Sequence, residues 1–285
     1  DQFKRGNYLK DKIDILTIGC SMTEGYDVDN EYSWPFLLEK KTGFCVANIG
    51  TRGYGLDQMI LSYIKNTSEF NKVILGIIPD SFDRSTKIVR HGVKSNGWQS
   101  KPLFKHNKKT GSFEFINIPP LKGIELQKEY ILRERSNFLS LEYDFHPWIL
   151  KEHNLDIFYT FRFFKIFPIQ MIYRKDRIYQ NKIKENDLVY ELFKYFKQIL
   201  DERDHESLVL LMGPGDLTSQ TYLNQWKETK SMLENLNLNY LDLTKLLHSE
   251  TYDNKSKIYL DIGGHYTEYG NDLVADKVSK VILQN

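Results

Sequence analysis

Five short apolar runs alternate with segments of helical periodicity, and this alternation limits the possible folds more than any other feature of the sequence. The predicted strands cover residues 13–18, 45–49, 72–77, 207–212 and 238–242. The predicted helices cover residues 32–42, 56–66, 187–202, 219–235 and 267–282. Because such an alternation builds a parallel sheet covered on both faces, we expect a three-layer α/β/α domain. Thr218 or Ser219 and Thr267 are the expected N-caps of the last two helices.

The composition is that of a globular domain and not of a disordered or fibrous chain. The 285 residues are 41% hydrophobic and 27% charged, and a chain of this length can bury a substantial core. No apolar run reaches the roughly 18 residues of a membrane span. Cys20 and Cys45 have no metal-ligand spacing, and no paired-histidine motif is found. We therefore expect no metal and no other cofactor.

Residues 85–185 interrupt the alternation and predict a cap inserted into a single domain. They hold 19 lysine and arginine residues against 10 acidic ones, which indicates either a solvated face or a surface that attracts an anionic substrate. Residues 101–105 and 112–116 flank a glycine-containing turn and predict a β-hairpin, and residues 123–145 have helical character. The aromatic segment 157–169 either packs in the core, covers an acyl pocket or rests on a membrane surface.

A serine follows the first predicted strand directly, in segment 18–25 with sequence IGCSMTEG. A glycine-flanked serine between a strand and a helix is one way in which α/β proteins expose a nucleophile, although such a turn is also common without one. Segment 261–265, DIGGH, adds an imidazole and a carboxylate. Because a serine hydroxyl needs a base, and the base needs an orienting acid, Ser21, His265 and Asp261 are predicted to fill these three roles.

Residues 19–23, 48–55 and 261–265 resemble blocks I, II and V of the SGNH, or GDSL-type, hydrolase superfamily. The linking residues 26–39 are similar to a subgroup found beside polysaccharide-modifying genes. The resemblance covers roughly residues 11–84 and 205–283. It implies a five-stranded parallel sheet in the flavodoxin-like order 2-1-3-4-5. It also implies Ser21 as nucleophile, the backbone N–H groups of Ser21 and Gly53 as oxyanion donors, and His265 and Asp261 as base and acid.

Two positions beside the predicted catalytic residues depart from the family pattern. Cys20 stands where the family has an aspartate before the serine, and we expect it to be a small buried residue and not a catalytic thiol. The acid of the family lies three residues before the histidine, whereas Asp261 lies four residues before His265.

A third departure concerns the oxyanion site. Pro79 takes the place of the family's block III asparagine, and proline has neither an N–H nor a polar side chain. We therefore expect another donor, with Ser81 or the side chain of Arg52 as the candidates. Arg52 is otherwise either a surface charge or a clamp for an anionic part of the substrate. Asp80 either supports the site from behind or caps the following turn.

The resemblance implies a serine esterase or O-acyltransferase that acts on O-acyl groups, O-acetyl above all, of a carbohydrate. The alternative is a non-catalytic glycan- or lipid-binding protein on the same fold. A phosphate binder is not supported, because neither GxGxxG nor GxxxxGK[ST] follows the first strand. The expected partner is a small-molecule or glycan ester, anionic if the basic cap attracts it, with no nucleic acid, and the cap is a candidate for membrane-surface contact.

The sequence does not determine the cellular location. The subgroup includes envelope proteins with an N-terminal membrane segment, so the resemblance implies a periplasmic or extracytoplasmic location. A signal or anchor segment preceding Asp1 is part of this expectation.

Overall fold

The computed structural model describes residues 13–66, 68–91, 98–107, 110, 112–119, 121–132, 160, 187–213, 220–244, 247, 255–260 and 264–284. Its contacts divide the chain into two compact units. The first comprises Asp1–Phe82 and Leu192–Asn285, and the second comprises Asp83–Glu191. The insertion predicted over residues 85–185 falls inside the range of the second unit.

The secondary structure follows the predicted alternation. The described strands are β1 (Ile15–Gly19), β2 (Val46–Asn48), β3 (Lys72–Ile77), β4 (Val89–His91), β5 (Trp98–Ser100), β6 (Leu103–Asn107), β7 (Ser112–Ile116), β8 (Glu206–Leu211) and β9 (Tyr240–Asp242). The described helices are α1 (Ser21–Glu24), α2 (Trp34–Thr42), α3 (Leu56–Lys65), α4 (Asp80–Ser85), α5 (Gly123–Leu132), α6 (187–203), α7 (Gln220–Asn235), α8 (Lys255–Ile258) and α9 (Glu268–Gln284). A short 3₁₀ helix covers Asn30–Tyr32.

The first unit is built on a five-stranded parallel sheet in the order β2-β1-β3-β8-β9. Counted within the sheet alone, this is the predicted order 2-1-3-4-5. The five predicted strands and five predicted helices lie within about two residues of their expected bounds, the usual uncertainty of such assignments. All five residues of β1 are buried, which explains why its sequence is a nearly continuous apolar run. Because the strands are parallel, the segments after β1, β2 and β3 meet at one edge.

Helix α9 is anchored at both its cap and its first turn. The Thr267 hydroxyl accepts a hydrogen bond from the Gly270 N–H at 3.1 Å, so Thr267 is the N-cap that the sequence predicted. Asn271 accepts a hydrogen bond from the Trp34 N–H at 3.1 Å and so ties α9 to the start of α2. The other expected caps, Thr218 and Ser219, lie outside the described residues. Within the described ranges, no helix is long and apolar enough to cross a membrane.

The second unit contains the predicted hairpin. Strands β6 and β7 pair antiparallel, from Leu103 opposite Ile116 to Asn107 opposite Ser112. Strands β4 and β5 form a further antiparallel pair that the sequence analysis did not predict. Helix α5 lies within the range 123–145 of predicted helical character. The rest of that range and the aromatic segment 157–169, apart from Thr160, lie outside the described residues.

Candidate active site

The site is assembled where β1 and β2 end at the same edge of the sheet. Ser21 begins α1 two residues after β1 ends. Beyond β2 the chain continues beside the end of β1, because the Thr51 N–H donates to the Gly19 carbonyl at 2.9 Å. It then turns at Gly53, whose φ of 80° belongs to the left-handed region that favours glycine. The Tyr54 N–H closes this turn onto the Thr51 carbonyl at 3.2 Å.

The structure brings the predicted nucleophile and base together. The Ser21 Oγ lies 2.8 Å from His265 Nε2, although the two residues are 244 positions apart in the chain. Ser21 is only 8% exposed, and the His265 side chain is 21% exposed. The hydroxyl is therefore held in hydrogen-bond reach of an imidazole at a small opening to solvent, which is the geometry that activates a serine.

Backbone contacts before α9 hold His265 in place. The Leu260 N–H donates to the His265 carbonyl at 2.8 Å, and the neighbouring residues Tyr259 and Tyr266 form an antiparallel bridge. Their rings lie 5.2 Å apart. Burial raises the pKa of both phenols well above the usual range, so both tyrosines stay uncharged.

The second ring nitrogen of His265 contacts a carboxylate that the sequence analysis did not select. His265 Nδ1 lies 2.5 Å from Asp27 Oδ2. Asp261, the predicted acid, lies outside the described residues, and its role stays a prediction. The one local signal for Asp27 was its place two residues after Gly25, which ends α1 in the left-handed region with φ 69°. That signal indicates a turn, but it does not show what the turn approaches.

A buried glutamate connects the serine segment to the turn at Gly53. Glu24 is 1% exposed, and its carboxylate accepts hydrogen bonds from the Arg52 backbone N–H at 2.7 Å and from Arg52 Nη2 at 2.9 Å. The Arg52 guanidinium also stacks on the Tyr26 ring, 4.0 Å from its centroid. Tyr26 in turn meets the His265 ring edge-on, with centroids 5.8 Å apart. Glu24 therefore fixes the backbone that presents Gly53, and Arg52 links that backbone to the ring beside the base.

The predicted oxyanion donors lie in the segments that follow the ends of β1 and β2. Within the described residues, neither the Ser21 N–H nor the Gly53 N–H has a hydrogen-bond acceptor. Ser81 is fully buried, and its Oγ lies 3.4 Å from the Ile78 N–H that donates to it. The Arg52 side chain is 43% exposed, with one contact to Glu24. Of the two candidate replacements for the asparagine, Arg52 thus lies beside the Gly53 turn, whereas the Ser81 hydroxyl is bonded to the backbone before α4.

The remaining predicted residues have simpler positions. Pro79 is buried, and Asp80 is exposed as the first residue of α4. Cys20 is fully buried and forms no disulfide among the described residues, as expected of a small buried residue. In the part of the chain that the structure describes, no group of three His, Cys, Asp or Glu side chains is placed to hold a metal ion.

The Glu24 contacts lead to a prediction about catalysis. Replacement Glu24→Gln removes the negative charge of the carboxylate. The new amide N–H₂ then faces an N–H donor of Arg52, so one of the two hydrogen bonds that hold Arg52 beside Gly53 is lost. We expect kcat to fall about 10- to 100-fold, with the free energy of unfolding lowered by about 1.5–3 kcal/mol, the usual effect of losing a charge-assisted hydrogen bond. Steady-state kinetics and urea denaturation measure the two effects. The exposed Glu31→Gln serves as the matched control, and equal kinetics for both variants would show that Glu24 does not support the Gly53 turn.

Of the comparisons with known proteins, the search of solved structures finds matches. No protein-family model matches the sequence, and a search of the curated proteins finds no match. A structure described as a lipolytic protein of the G-D-S-L family from Desulfitobacterium hafniense DCB-2 is 12% identical, with a TM-score of 0.46, and the match covers 95% of this chain and 99% of that one. A lipase/acylhydrolase from Enterococcus faecalis is 11% identical, with a TM-score of 0.47 and 95% of each chain covered.

An acetylxylan esterase from Geobacillus stearothermophilus is 9% identical, with a TM-score of 0.47, and the match covers 99% of this chain and 96% of that one. Nearly the whole chain is included in each of these three matches. The solved structures to which this chain is similar thus include G-D-S-L lipolytic proteins and acetylxylan esterases.

Proposed function

We propose that the protein is a serine-dependent ester hydrolase or O-acyltransferase that forms an acyl-enzyme on Ser21. The observation that carries the proposal is the hydrogen bond of 2.8 Å between the Ser21 Oγ and His265 Nε2, with a carboxylate on the other ring nitrogen. A serine hydroxyl is a weak nucleophile at neutral pH, and an imidazole that is itself oriented by an acid can take its proton.

The proposed reaction begins when the Ser21 Oγ attacks the carbonyl carbon of an ester. The hydroxyl proton passes to His265 Nε2 as the new C–O bond forms. The negative charge on the former carbonyl oxygen is stabilised by the N–H groups of Ser21 and Gly53. The intermediate then expels the alcohol, which takes the proton from His265 and leaves the acyl group on Ser21. Water or a second hydroxyl repeats these steps in reverse and releases the acid or a new ester.

The substrate class rests on the sequence. Residues 26–39 are similar to a subgroup associated with polysaccharide modification, and this supports an O-acetylated carbohydrate as the acyl donor. The excess of basic residues between positions 85 and 185 favours an anionic one, because opposite charge raises the local concentration of a substrate. Hydrolysis and transfer differ only in whether water or a sugar hydroxyl reaches the acyl-enzyme.

Labelling by a fluorophosphonate probe, located by peptide mass spectrometry, tests the nucleophile. We expect the label on Ser21 in the intact protein and no label in Ser21→Ala. The matched control is Ser62→Ala, because the Ser62 hydroxyl bonds only to the helix carbonyl of Gln58 among the described residues. Release of acetate from an acetylated oligosaccharide, with and without an added acceptor sugar, then distinguishes hydrolysis from transfer.

A negative result has a defined meaning. If the folded protein is not labelled and releases no acetate, the catalytic proposal is wrong. The non-catalytic glycan- or lipid-binding alternative then becomes the better interpretation, and Pro79 in place of the oxyanion asparagine is the observation that favours it.

A further inference from the structure

We propose that Asp27 is the positioning residue that orients His265. The observation is the distance of 2.5 Å between Asp27 Oδ2 and His265 Nδ1, across 238 positions of the chain. The proposal rests on the serine mechanism above and deepens it by assigning the acid. It places the acid in the turn directly after the helix that begins with the nucleophile, whereas the sequence motif places the acid beside the base.

The local structure explains why Asp27 reaches the histidine. Helix α1 has a single turn and ends at Gly25, where φ of 69° reverses the direction of the chain. The N–H groups of Gly25 and Tyr26 both donate to the Ser21 carbonyl, at 3.1 and 3.2 Å. The Val28 N–H donates to the Gly25 carbonyl at 3.3 Å and closes the following turn. Asp27 lies within this turn and directly follows Tyr26, whose N–H is bonded to the Ser21 carbonyl.

Contacts around the turn hold it beside the imidazole. The Tyr26 ring lies edge-on to the His265 ring, at an interplanar angle of 69°. The Tyr26 ring is also held by the Arg52 guanidinium, which stacks on it and pairs with the buried Glu24. Because Glu24 and Tyr26 flank Gly25, the segment that carries Asp27 is fixed on both sides of its left-handed residue.

The chemistry of the imidazole requires an acceptor at Nδ1. A neutral imidazole carries one N–H, and Nε2 can take the Ser21 proton only when that N–H is on Nδ1. An ionised carboxylate accepts hydrogen bonds and donates none, so Asp27 selects the Nδ1–H tautomer. It also stabilises the imidazolium that forms when Nε2 takes the proton, while the proton itself stays on His265.

The exposure of the pair limits the size of the effect. The side chains of Asp27 and His265 are 30% and 21% exposed, so water screens their attraction more than in a buried triad. Loss of the orienting carboxylate in a buried triad lowers kcat about 10⁴-fold through the wrong tautomer. For Asp27→Asn we expect a smaller fall in kcat of about 100- to 1,000-fold, with KM changed less than about threefold.

Kinetics of four variants test the assignment. Asp27→Asn is expected to show the fall in kcat, and Asp27→Glu to recover at least about tenfold of it, because a carboxylate returns within reach of Nδ1. Asp261→Asn tests the acid that the sequence predicted, and a fall in kcat as large as that of Asp27→Asn would overturn the assignment. The matched control is Asp29→Asn, an exposed aspartate two residues further along, whose side chain makes no cap hydrogen bond.

The tautomer of His265 provides a readout that does not depend on turnover. In protein with ¹⁵N-labelled histidine, at a pH where the ring is neutral, the chemical shifts identify which nitrogen carries the proton. His265→Gln assigns the signal. We expect Nδ1–H in the unmodified protein and in Asp261→Asn, and a shift of the proton towards Nε2 in Asp27→Asn, because the amide can donate to Nδ1.

The outcomes separate this proposal from the proposed function. A tautomer that changes in Asp27→Asn alone supports the assignment, even if no ester is turned over and the serine mechanism itself fails. A tautomer that changes in Asp261→Asn and not in Asp27→Asn overturns the assignment, while labelling of Ser21 leaves the serine mechanism in place. Equal kcat for Asp27→Asn and Asp29→Asn in an active enzyme also overturns it.

Discussion

Replacement of His265 by glutamine is expected to lower ester turnover by about 10⁴- to 10⁶-fold, and addition of Ser21→Ala to lower it no further. The reason is that the serine and its base act in one step. Without Nε2 the Ser21 proton has no acceptor, and without the hydroxyl the imidazole has nothing to activate. The residual rate of Ser21→Ala, of His265→Gln and of the double variant then comes from substrate binding and the oxyanion donors. Initial rates with an activated acetyl ester measure this cycle.

The control for this cycle is a second histidine in the same unit. His205 bonds to the Tyr63 hydroxyl at 2.9 Å through Nδ1, next to the amino end of β8, and His205→Gln is expected to keep kcat within about threefold when assayed below its melting temperature. If the rate of the double variant is instead reduced by the product of the two single reductions, Ser21 and His265 act independently. In that case the hydrogen bond between them does not serve the proton transfer.

Substitution Gly19→Ala is expected to destabilise the protein by about 3 kcal/mol or more, at the upper end of the cost of overpacking a core. A Cβ at Gly19 would lie 2.1 Å from Thr23 Oγ1, 2.6 Å from Thr23 Cβ and 2.8 Å from the Gly76 carbonyl oxygen. These contacts exist because the Thr23 side chain of α1 lies across the ends of β1 and β3. The serine segment therefore sits closely on the sheet, and urea denaturation measures the cost of separating them.

A double-mutant cycle shows which atoms are responsible. A Cβ at Gly76 would lie 2.3 Å from Thr23 Oγ1 and 2.9 Å from Met212 Sδ, at the end of a flexible side chain. Thr23→Ala removes the first contact, so it is expected to restore most of the stability that Gly76→Ala loses. It is not expected to rescue Gly19→Ala, because the Thr23 Cβ and the Gly76 carbonyl remain.

Gly43→Ala separates packing from backbone strain. Gly43 has φ of +76° and open space around the position of a Cβ, so its replacement is expected to cost about 1 kcal/mol from the backbone alone. Rescue of Gly19→Ala by Thr23→Ala, or an equal cost for Gly19→Ala and Gly43→Ala, would contradict the packing explanation.

The fold was largely predictable because its signals are local. Buried parallel strands produce continuous apolar runs, and helices produce a period of about 3.6 residues, so the bounds of the sheet elements followed from the chain. The order of the strands in the sheet was implied by the family resemblance. The Thr267 cap and the hairpin of β6 and β7 were found in the same way. Ser21 and His265 were selected because a serine after a strand and a histidine beside a carboxylate form recognisable segments.

The Asp27 and Glu24 contacts were decided by the tertiary structure alone. The Asp27 carboxylate meets His265 only because the turn after Gly25 and the residues directly before α9 approach each other across 238 positions. The pairing of Glu24 with Arg52 depends in the same way on the parallel packing of β1 and β2. Local sequence determines secondary structure and turn chemistry, but which polar groups meet depends on the direction in which separate loops project from a common edge. For that reason the sequence by itself determined the sheet and proposed a serine and a histidine for its edge, and only the tertiary structure showed which carboxylate contacts that histidine.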